Sequence, residues 1–198
     1  LQVGIVDQIT GLRSWSLRFA GETNHAGTTP MDYRKDAFMG LADFAHEVPR
    51  ILEENGGEHS RATIGKAEIL PGAANSVPGA VEFSLDFRDP STETLDALAD
   101  AIQKTLSAIS RRRGLSFEFT EHGNILPVDC EPRLTAILDS EVERLRLKSI
   151  HLLSGAAHDA QLVGRIAPVA MIFVPSKGGM SHSPAEWTSW EDIEAGAN

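Results

Sequence analysis

A histidine in a polar turn is the first group in this sequence that could carry chemistry. His25 lies within Asn24–Met31, a stretch that also contains a glycine, two threonines and a proline. These residue types favour turns, and Pro30 biases Thr29 towards an extended backbone. Polar loops between regular elements commonly display catalytic groups, so His25 could act as a base or as a metal ligand. Taken alone, the loop is better explained by a histidine that merely faces water.

A second histidine follows the most apolar segment of the chain. Residues 169–174 form a continuous apolar run, which is typical of a strand buried on both faces of a mostly parallel sheet. The loop after this run contains His182, and ligands of open parallel sheets bind beyond the carboxyl ends of the strands. Neutral imidazole is a common ligand of zinc and similar ions. His182 is therefore a candidate metal ligand, although an exposed loop histidine is the more frequent alternative.

Two polar residues flank the most regular strand pattern in the sequence. Asn75 lies in the loop before this strand, and Arg88 lies at its far end on the polar side. A guanidinium fork suits two-point binding of a carboxylate, which a lysine would bind less well. The alternative for Arg88 is an ion pair on the surface with Asp86 or Glu82.

The remaining histidines and the single cysteine offer weaker candidates. His158 and Asp159 are neighbours whose side chains do not share a face, so we expect Asp159 to cap a helix and form no catalytic pair. Cys130 has no cationic neighbour that would lower its pKa, which argues against a thiolate nucleophile. Four histidines show no partner at a useful spacing and are expected to be solvated or structural: His46, His59, His122 and His151.

Charge and composition exclude several classes of function. The 198-residue chain has a formal net charge of −10 at pH 7, which argues against nucleic-acid and anionic-membrane partners because both bind clustered Lys and Arg. Its one basic cluster, Arg111–Arg113, is expected to end a helix, where cations complement the helix dipole. A single cysteine excludes an internal disulfide and fits a cytoplasmic location. No apolar run approaches the roughly 20 residues of a membrane span.

Hydrophobic periodicity predicts the elements that hold these groups. Residues 12–121 follow the order β-α-β-β-α-β, which is the ferredoxin-like order of one antiparallel sheet with two helices on one face. The first helix is expected to start near Asp36 and the second at Asp89–Pro90, with Gly114 ending the second. The segments after residue 121 predict a helix over 134–147 and strands over 150–153 and 169–174.

The region outside the β-α-β-β-α-β module has too few strands to form an independently stable sheet. We therefore expect an incomplete α/β layer there. The chain begins at Leu1 without a charged and apolar leader and stops at Asn198 within a helical pattern. Both ends are consistent with a piece of a longer protein.

Five ordered motifs resemble those of a known family. They are Asn24–Met31, Asn75–Gly79, Asp86–Asp89, Ser154–Ala160 and Gly178–Pro184. Together they resemble the metal-dependent amidohydrolases of the M20 peptidase superfamily, in the branch of N-carbamoyl-L-amino acid hydrolases, β-ureidopropionases and allantoate amidohydrolases. The resemblance extends over essentially the whole chain.

This resemblance implies a domain plan. The family has an α/β catalytic domain that binds two divalent metal ions (zinc, manganese or cobalt), interrupted by a ferredoxin-like α+β lid through which homodimers form. Residues 1–11 would then be a catalytic-domain segment and connection, 12–121 the inserted lid and dimerisation domain, and 122–198 the C-terminal part of the catalytic domain. Most metal ligands and the general-base glutamate would lie upstream of this chain.

The resemblance also implies roles for single residues. His25 matches a lid histidine that contacts the substrate carbonyl and stabilises the oxyanion, and His182 matches the last metal ligand. Asn75 and Arg88 match residues that hold the substrate, with Arg88 on its carboxylate. His158 is a further implied substrate-binding residue.

The leading hypothesis is therefore a metal-dependent hydrolase of linear amide or ureido C–N bonds, which acts on an N-carbamoyl-L-amino acid or on allantoate, small substrates that carry a carboxylate. One alternative is a dipeptidase or aminoacylase of the same superfamily. Another is that the chain as given is a non-catalytic dimerisation module, and we expect the chain alone to be inactive even if its parent is an enzyme.

Overall fold

The computed structural model describes all 198 residues, in eleven strands and five α-helices. The strands are β1 Val3–Ile9, β2 Gly11–Ala20, β3 Asn24–His25, β4 Arg61–Thr63, β5 Ala67–Leu70, β6 Ser76–Val77, β7 Ala80–Asp89, β8 Ser116–Ile125, β9 Val128–Asp129, β10 Ser149–Ser154 and β11 Met171–Phe173. The helices are α1 Ala37–Asn55, α2 Thr92–Arg113, α3 Pro132–Arg144, α4 Ala160–Val163 and α5 Trp190–Ala197. Short 3-10 turns span Met31–Tyr33 and Lys177–Gly179.

These elements divide between two compact units. The central unit is Gly11–Ile125, and the terminal unit combines Leu1–Thr10 with Leu126–Asn198. None of the helices is long and apolar enough to cross a membrane.

One antiparallel sheet organises the central unit, with strand order β4-β7-β2-β8 and with β5 also paired to β7. Strands β2 and β7 pair along their whole length, from Gly11 opposite Asp89 to Ala20 opposite Ala80. The predicted order β-α-β-β-α-β is confirmed, with one difference. The second strand of that order consists of the two strands β4 and β5, which pair with opposite ends of β7.

Alternation along the strands places the core on one face of this sheet. Trp15, Leu17 and Phe19 of β2 are buried, while the residues between them are more exposed. Side chains alternate across a strand, so the apolar set points to one face, where α1 and α2 pack. Trp15 meets Phe87 of β7 edge to face, with ring centroids 5.0 Å apart. Each such buried aromatic contributes roughly 1.5–3 kcal/mol relative to leaving it exposed.

The start of α2 differs from the prediction. Ser91 is the N-cap, and its hydroxyl accepts a hydrogen bond from Thr94 N at 3.1 Å. Asp89 is still in β7, because its backbone pairs with Gly11 in the ladder. The Asp89 carboxylate is buried and accepts hydrogen bonds from Ser91 N at 2.7 Å and from the Ser60 hydroxyl at 2.5 Å.

The other predicted helix ends match the structure. Asp36 caps α1 by accepting hydrogen bonds from Phe38 N and Met39 N, and α2 ends at Gly114, whose φ of 64° is in the left-handed region. The arginines before Gly114 do more than complement the helix dipole. Arg112 and Arg113 both pair with Asp43 of α1, and these bonds hold the pKa of Asp43 below its usual range.

The terminal unit contains a small mixed sheet with strand order β10-β1-β11, in which β9 also pairs with β1. Strand β1 runs parallel to β10 and antiparallel to β11. The prediction of a long strand over 169–174, buried on both faces of a mostly parallel sheet, is therefore wrong. Only Met171–Phe173 form the strand, and Phe173 is 37% exposed. An apolar run signals burial, but it does not encode strand direction.

Candidate functional site

His25 lies in the short strand β3, opposite Ser76 of β6. Its Nδ1 atom accepts hydrogen bonds from the backbone amides of Gly27 at 3.0 Å and Thr28 at 3.2 Å. A ring nitrogen that accepts hydrogen bonds carries no proton, so the neutral imidazole must carry its proton on Nε2. The side chain is exposed, which leaves this Nε2–H available to a ligand. The local structure therefore makes His25 a hydrogen-bond donor.

A four-residue turn, Ala26–Thr29, carries these two amides. Thr29 closes the turn onto the His25 carbonyl, which accepts from Thr29 N at 3.1 Å and from Thr29 Oγ1 at 2.7 Å. The Arg34 guanidinium donates from Nε to Thr29 O at 3.0 Å and from Nη2 to Ala26 O at 2.5 Å. Turn and histidine thus form one hydrogen-bonded assembly.

Asn75 adjoins this assembly. Its carbonyl accepts a hydrogen bond from Ala26 N at 2.9 Å, next to the β3–β6 pairing. The Asn75 side chain is exposed. The structure therefore brings Asn75 and His25 together at one end of the central unit, although 50 positions separate them in sequence.

Arg88 lies at the other end of the central sheet, away from His25 and Asn75. It forms a two-point ion pair with Asp86, with Nε–Oδ1 at 2.7 Å and Nη2–Oδ2 at 3.0 Å, and these bonds raise the pKa of Arg88. The two side chains are 31% and 34% exposed, so this is the surface ion pair named above as the alternative. Arg88 pairs with Leu12, whereas the His25 loop follows the other end of β2. At about 3.3 Å per residue, the eight steps from Ala80 to Arg88 span about 26 Å.

His158 lies in the terminal unit, next to the start of α4. Its Nδ1 accepts a hydrogen bond from Ala160 N at 3.0 Å, whereas Asp159 makes no side-chain cap. The expectation that Asp159 caps this helix is therefore wrong, because the imidazole already receives the free amide. The buried side chain of Gln161 accepts from His158 N and donates to the carbonyls of Thr10 and Leu126. Sequence reasoning did not single out Gln161, since its partners are far away in the chain.

His182 lies in an exposed loop of the terminal unit with a left-handed backbone, φ 53°. Its backbone amide donates to Glu186 Oε2 at 2.9 Å. Nowhere in the 198 residues do three His, Cys, Asp or Glu side chains form a group that could hold a metal ion. A zinc site needs about four donors, so the residues of this chain do not form a metal site by themselves.

His151, which the sequence indicates to be solvated or structural, has two carboxylate partners that its sequence spacing does not reveal. Its Nδ1 contacts Asp7 Oδ1 at 2.7 Å and its Nε2 contacts Asp139 Oδ1 at 3.0 Å. These hydrogen bonds, to Asp7 first and then to Asp139, raise the pKa of His151. The contacts depend on the parallel pairing of β1 with β10, which the sequence pattern did not reveal.

Cys130, by contrast, behaves as expected. Burial raises the pKa of its thiol, which disfavours a thiolate nucleophile.

Comparison with known proteins gives concordant matches. The profile of Peptidase family M20/M25/M40 matches residues 7–198. The chain is 35% identical over 196 residues to the N-carbamoyl-L-amino-acid amidohydrolase of Paenarthrobacter aurescens, covering 99% of this chain and 47% of that protein. It is 37% identical over 194 residues to the allantoate amidohydrolase of Bacillus subtilis (strain 168), and the match covers 98% of this chain and 47% of that protein.

A solved structure matches over the same extent. An amidase of the hydantoinase/carbamoylase family from Burkholderia multivorans superposes with a TM-score of 0.91 at 33% identity, covering 99% of this chain and 47% of that one. The chain thus spans about half the length of the relatives it matches. Since the family profile covers nearly the whole chain, this protein belongs to Peptidase family M20/M25/M40.

Proposed function

We propose that this chain is the C-terminal half of an M20-type amidohydrolase that cleaves a linear C–N bond in an N-carbamoyl-L-amino acid or in allantoate. The relatives with these names support the reaction class. The observation that carries the proposal is the geometry of His25, whose Nδ1 accepts hydrogen bonds from two amides and whose side chain is exposed, which leaves Nε2 as the donor. This geometry suits donation to a substrate oxygen.

His25 would act on the carbonyl under attack. When a ureido or amide carbon becomes tetrahedral, its oxygen gains negative charge. A prepositioned N–H binds this charged oxygen more strongly than it binds the neutral carbonyl of the ground state, so it lowers the barrier. One such donor lowers the barrier by about 3 kcal/mol in well-measured cases. Asn75, beside His25, would contribute amide hydrogen bonds to the same substrate.

Arg88 would bind the substrate carboxylate. Its guanidinium already makes a two-point contact with the carboxylate of Asp86, which is the geometry that a ligand carboxylate would use. Both side chains are partly exposed. A substrate carboxylate could therefore replace or share this contact.

We propose that the central unit is the ferredoxin-like lid and forms a homodimer. His25 and Asn75 lie near one end of its sheet and Arg88 near the other, so one lid would not present all three at one point. Each substrate would then contact His25 and Asn75 of one lid and Arg88 of another. In a homodimer with two such sites, each lid would give His25 and Asn75 to one site and Arg88 to the other.

Two divalent ions, zinc, manganese or cobalt, are part of this proposal for the whole protein. Of the groups described here, His182 is the proposed ligand, and the residues of this chain alone do not fit a metal centre. We therefore assign no reaction step to this chain through a metal.

Substrate preference tests the proposed function. The whole protein that contains this chain would be assayed with N-carbamoyl-L-amino acids, allantoate, dipeptides and N-acyl amino acids side by side. We expect ammonia release from a carbamoyl substrate or allantoate at the highest kcat/KM. A preference for dipeptides or N-acyl amino acids would instead indicate a dipeptidase or aminoacylase.

A further inference from the structure

Arg34 directs its guanidinium at the turn that carries the His25-binding amides. It donates to the carbonyl oxygens of Ala26 and Thr29, the first and last residues of the turn. Its side chain is partly buried, and no carboxylate lies within ion-pairing distance although Asp32 and Asp36 are near in sequence. An arginine that binds backbone carbonyls in place of a carboxylate acts as a structural clamp.

The clamp fixes the direction of the two amides between its contact points. Ala26 is held on both sides, with its N–H on the Asn75 carbonyl and its own carbonyl on Arg34. Gly27 and Thr28 lie between Ala26 and Thr29, and their N–H groups point at His25 Nδ1. The Ala26 carbonyl shares its peptide plane with the Gly27 N–H, so a movement of this carbonyl would rotate that N–H away from the imidazole. The contact with the Thr29 carbonyl holds the far end of the turn.

We infer that Arg34 is a positioning residue that fixes His25 as the Nε2–H tautomer and sets the direction of that donor. The inference rests on the proposed role of His25 in the reaction. Two donors in a fixed fork are needed to reach both carbonyls at once. A lysine keeps the charge but presents one point of contact, so it cannot replace this function.

Gly27 lies in the turn that Arg34 clamps, next to the imidazole of His25. A Cβ atom at this position would lie 3.3 Å from Cε1 and 3.5 Å from Nδ1 of His25. The first distance is tighter than ordinary van der Waals contact, so a side chain here would press on the imidazole ring. Glycine therefore allows the amide to approach Nδ1 closely.

The test reads the tautomer directly by ¹⁵N–¹H NMR of the whole protein that contains this chain, with labelled histidines. Spectra would be recorded at a pH of about 8.5, where ordinary imidazoles with a pKa of about 6.5 are neutral. A His25→Gln spectrum would identify the His25 signals, because these signals would be missing from it. We expect wild type to show only the Nε2–H form and Arg34→Lys to show a mixture of both tautomers.

A matched control removes a neighbouring charge. Lys35 pairs with Glu22 on the surface, with Nζ–Oε1 at 2.5 Å, and Lys35→Gln should leave the His25 tautomer unchanged. A wild-type Nδ1–H form, or a pure Nε2–H form in Arg34→Lys, would overturn the inference. If Arg34→Lys fails to fold, Arg34→Gln, which also lacks the two-point fork, replaces it and should give the same mixture of tautomers. Gly27→Ala tests the contact between the turn and the imidazole from the side of the ring.

Kinetics of the whole protein separate this inference from the proposed function. Arg34→Lys should lower kcat by on the order of 10- to 100-fold, as expected for a misplaced catalytic group, with KM nearly unchanged. If wild type hydrolyses neither carbamoyl substrates nor allantoate, the proposed function fails. The tautomer measurement still decides the role of Arg34 in that case.

Discussion

At the scale of single residues, the occupied Nδ1 of His25 narrows what this histidine can do. The sequence left open a base, a metal ligand or a solvent-facing group. A neutral imidazole with two amides on Nδ1 has its proton on Nε2, so neither nitrogen offers a free lone pair to a metal or a proton. Donation of a hydrogen bond is the role that this geometry supports. The loop pattern made His25 one candidate among others, and only the fold shows which of its nitrogens is occupied.

Arg88 allows a test of carboxylate binding in the whole protein. Arg88→Lys keeps the positive charge and loses the fork that now engages Asp86. We expect KM to rise about 10- to 100-fold, which corresponds to a charge-assisted hydrogen bond of roughly 1.5–3 kcal/mol, and kcat to change little. Steady-state kinetics with a carbamoyl amino acid would measure both constants. An unchanged KM would show that Arg88 does not bind the substrate carboxylate.

His151 predicts a pH dependence of stability in the terminal unit. Its pKa is raised in the folded protein by Asp7 and Asp139. The stabilisation is therefore complete below the unfolded-state pKa of about 6.5 and is lost as the pH rises through the raised folded pKa. Because all three side chains are about half exposed, solvent screens the effect and we expect it to be small.

Hydrogen exchange of the β1 and β10 amides would measure this dependence between about pH 6 and about pH 8.5, after correction for the intrinsic rates. In the wild type, protection of these amides should decrease as the pH rises. In His151→Gln, their protection should not depend on pH. His122→Gln, which changes a histidine of the central unit bound to Ser16, serves as a control. An equal pH dependence in His151→Gln would contradict the assignment.

At the scale of elements, alternation and capping residues predicted the central unit well. Trp15, Leu17 and Phe19 gave β2 its buried face, and Gly114 marked the end of α2. The start of α2 was misplaced because Asp89 and Ser91 are both good caps. Only the ladder with Gly11, which is distant in sequence, keeps Asp89 in β7. Local propensity cannot show such a pairing.

Asp89 carries a prediction at this scale, because it joins three elements. Its carboxylate receives hydrogen bonds from Ser91 N at the start of α2 and from Ser60, which follows α1. Asp89→Ala leaves these buried donors without a partner, so we expect a loss of about 2 kcal/mol in the free energy of unfolding. Urea denaturation would measure it. Asp100→Ala, at an exposed position of α2, should change stability by less than about 0.5 kcal/mol, and an equal effect of both substitutions would refute this account.

At the scale of the whole molecule, pairings between distant segments were the hardest feature to predict. Strand β1 at the start of the chain pairs with β10 near residue 150 and with β11 near residue 172. The apolar segments were recognised, but their order and direction were not encoded in local periodicity. The position of Arg88 relative to His25 likewise depends on the β2–β7 register, so the candidate site could be predicted as residues but not as an arrangement.

Subunit mixing tests whether two lids contribute to each site. Differently tagged His25→Ala and Arg88→Ala proteins would be coexpressed, and the mixed dimers purified. If each site combines His25 of one copy with Arg88 of the other, one of the two sites keeps both residues. We then expect about half of the wild-type activity per dimer. Mixed dimers no more active than the two parental variants, or the absence of a dimer, would contradict the proposal.

The proposed role of His25 is donation of a hydrogen bond to the substrate carbonyl of a C–N hydrolase. Its most direct test is the kcat of the whole protein, as wild type and as His25→Ala, measured by ammonia release from N-carbamoyl-L-amino acids and allantoate. We predict that wild type hydrolyses at least one of them, and that His25→Ala lowers kcat by about 10²- to 10³-fold with little change in KM. The exposed histidine variant His59→Ala should keep full activity. Full kcat in His25→Ala, or no hydrolysis of either substrate class by wild type, would contradict this role.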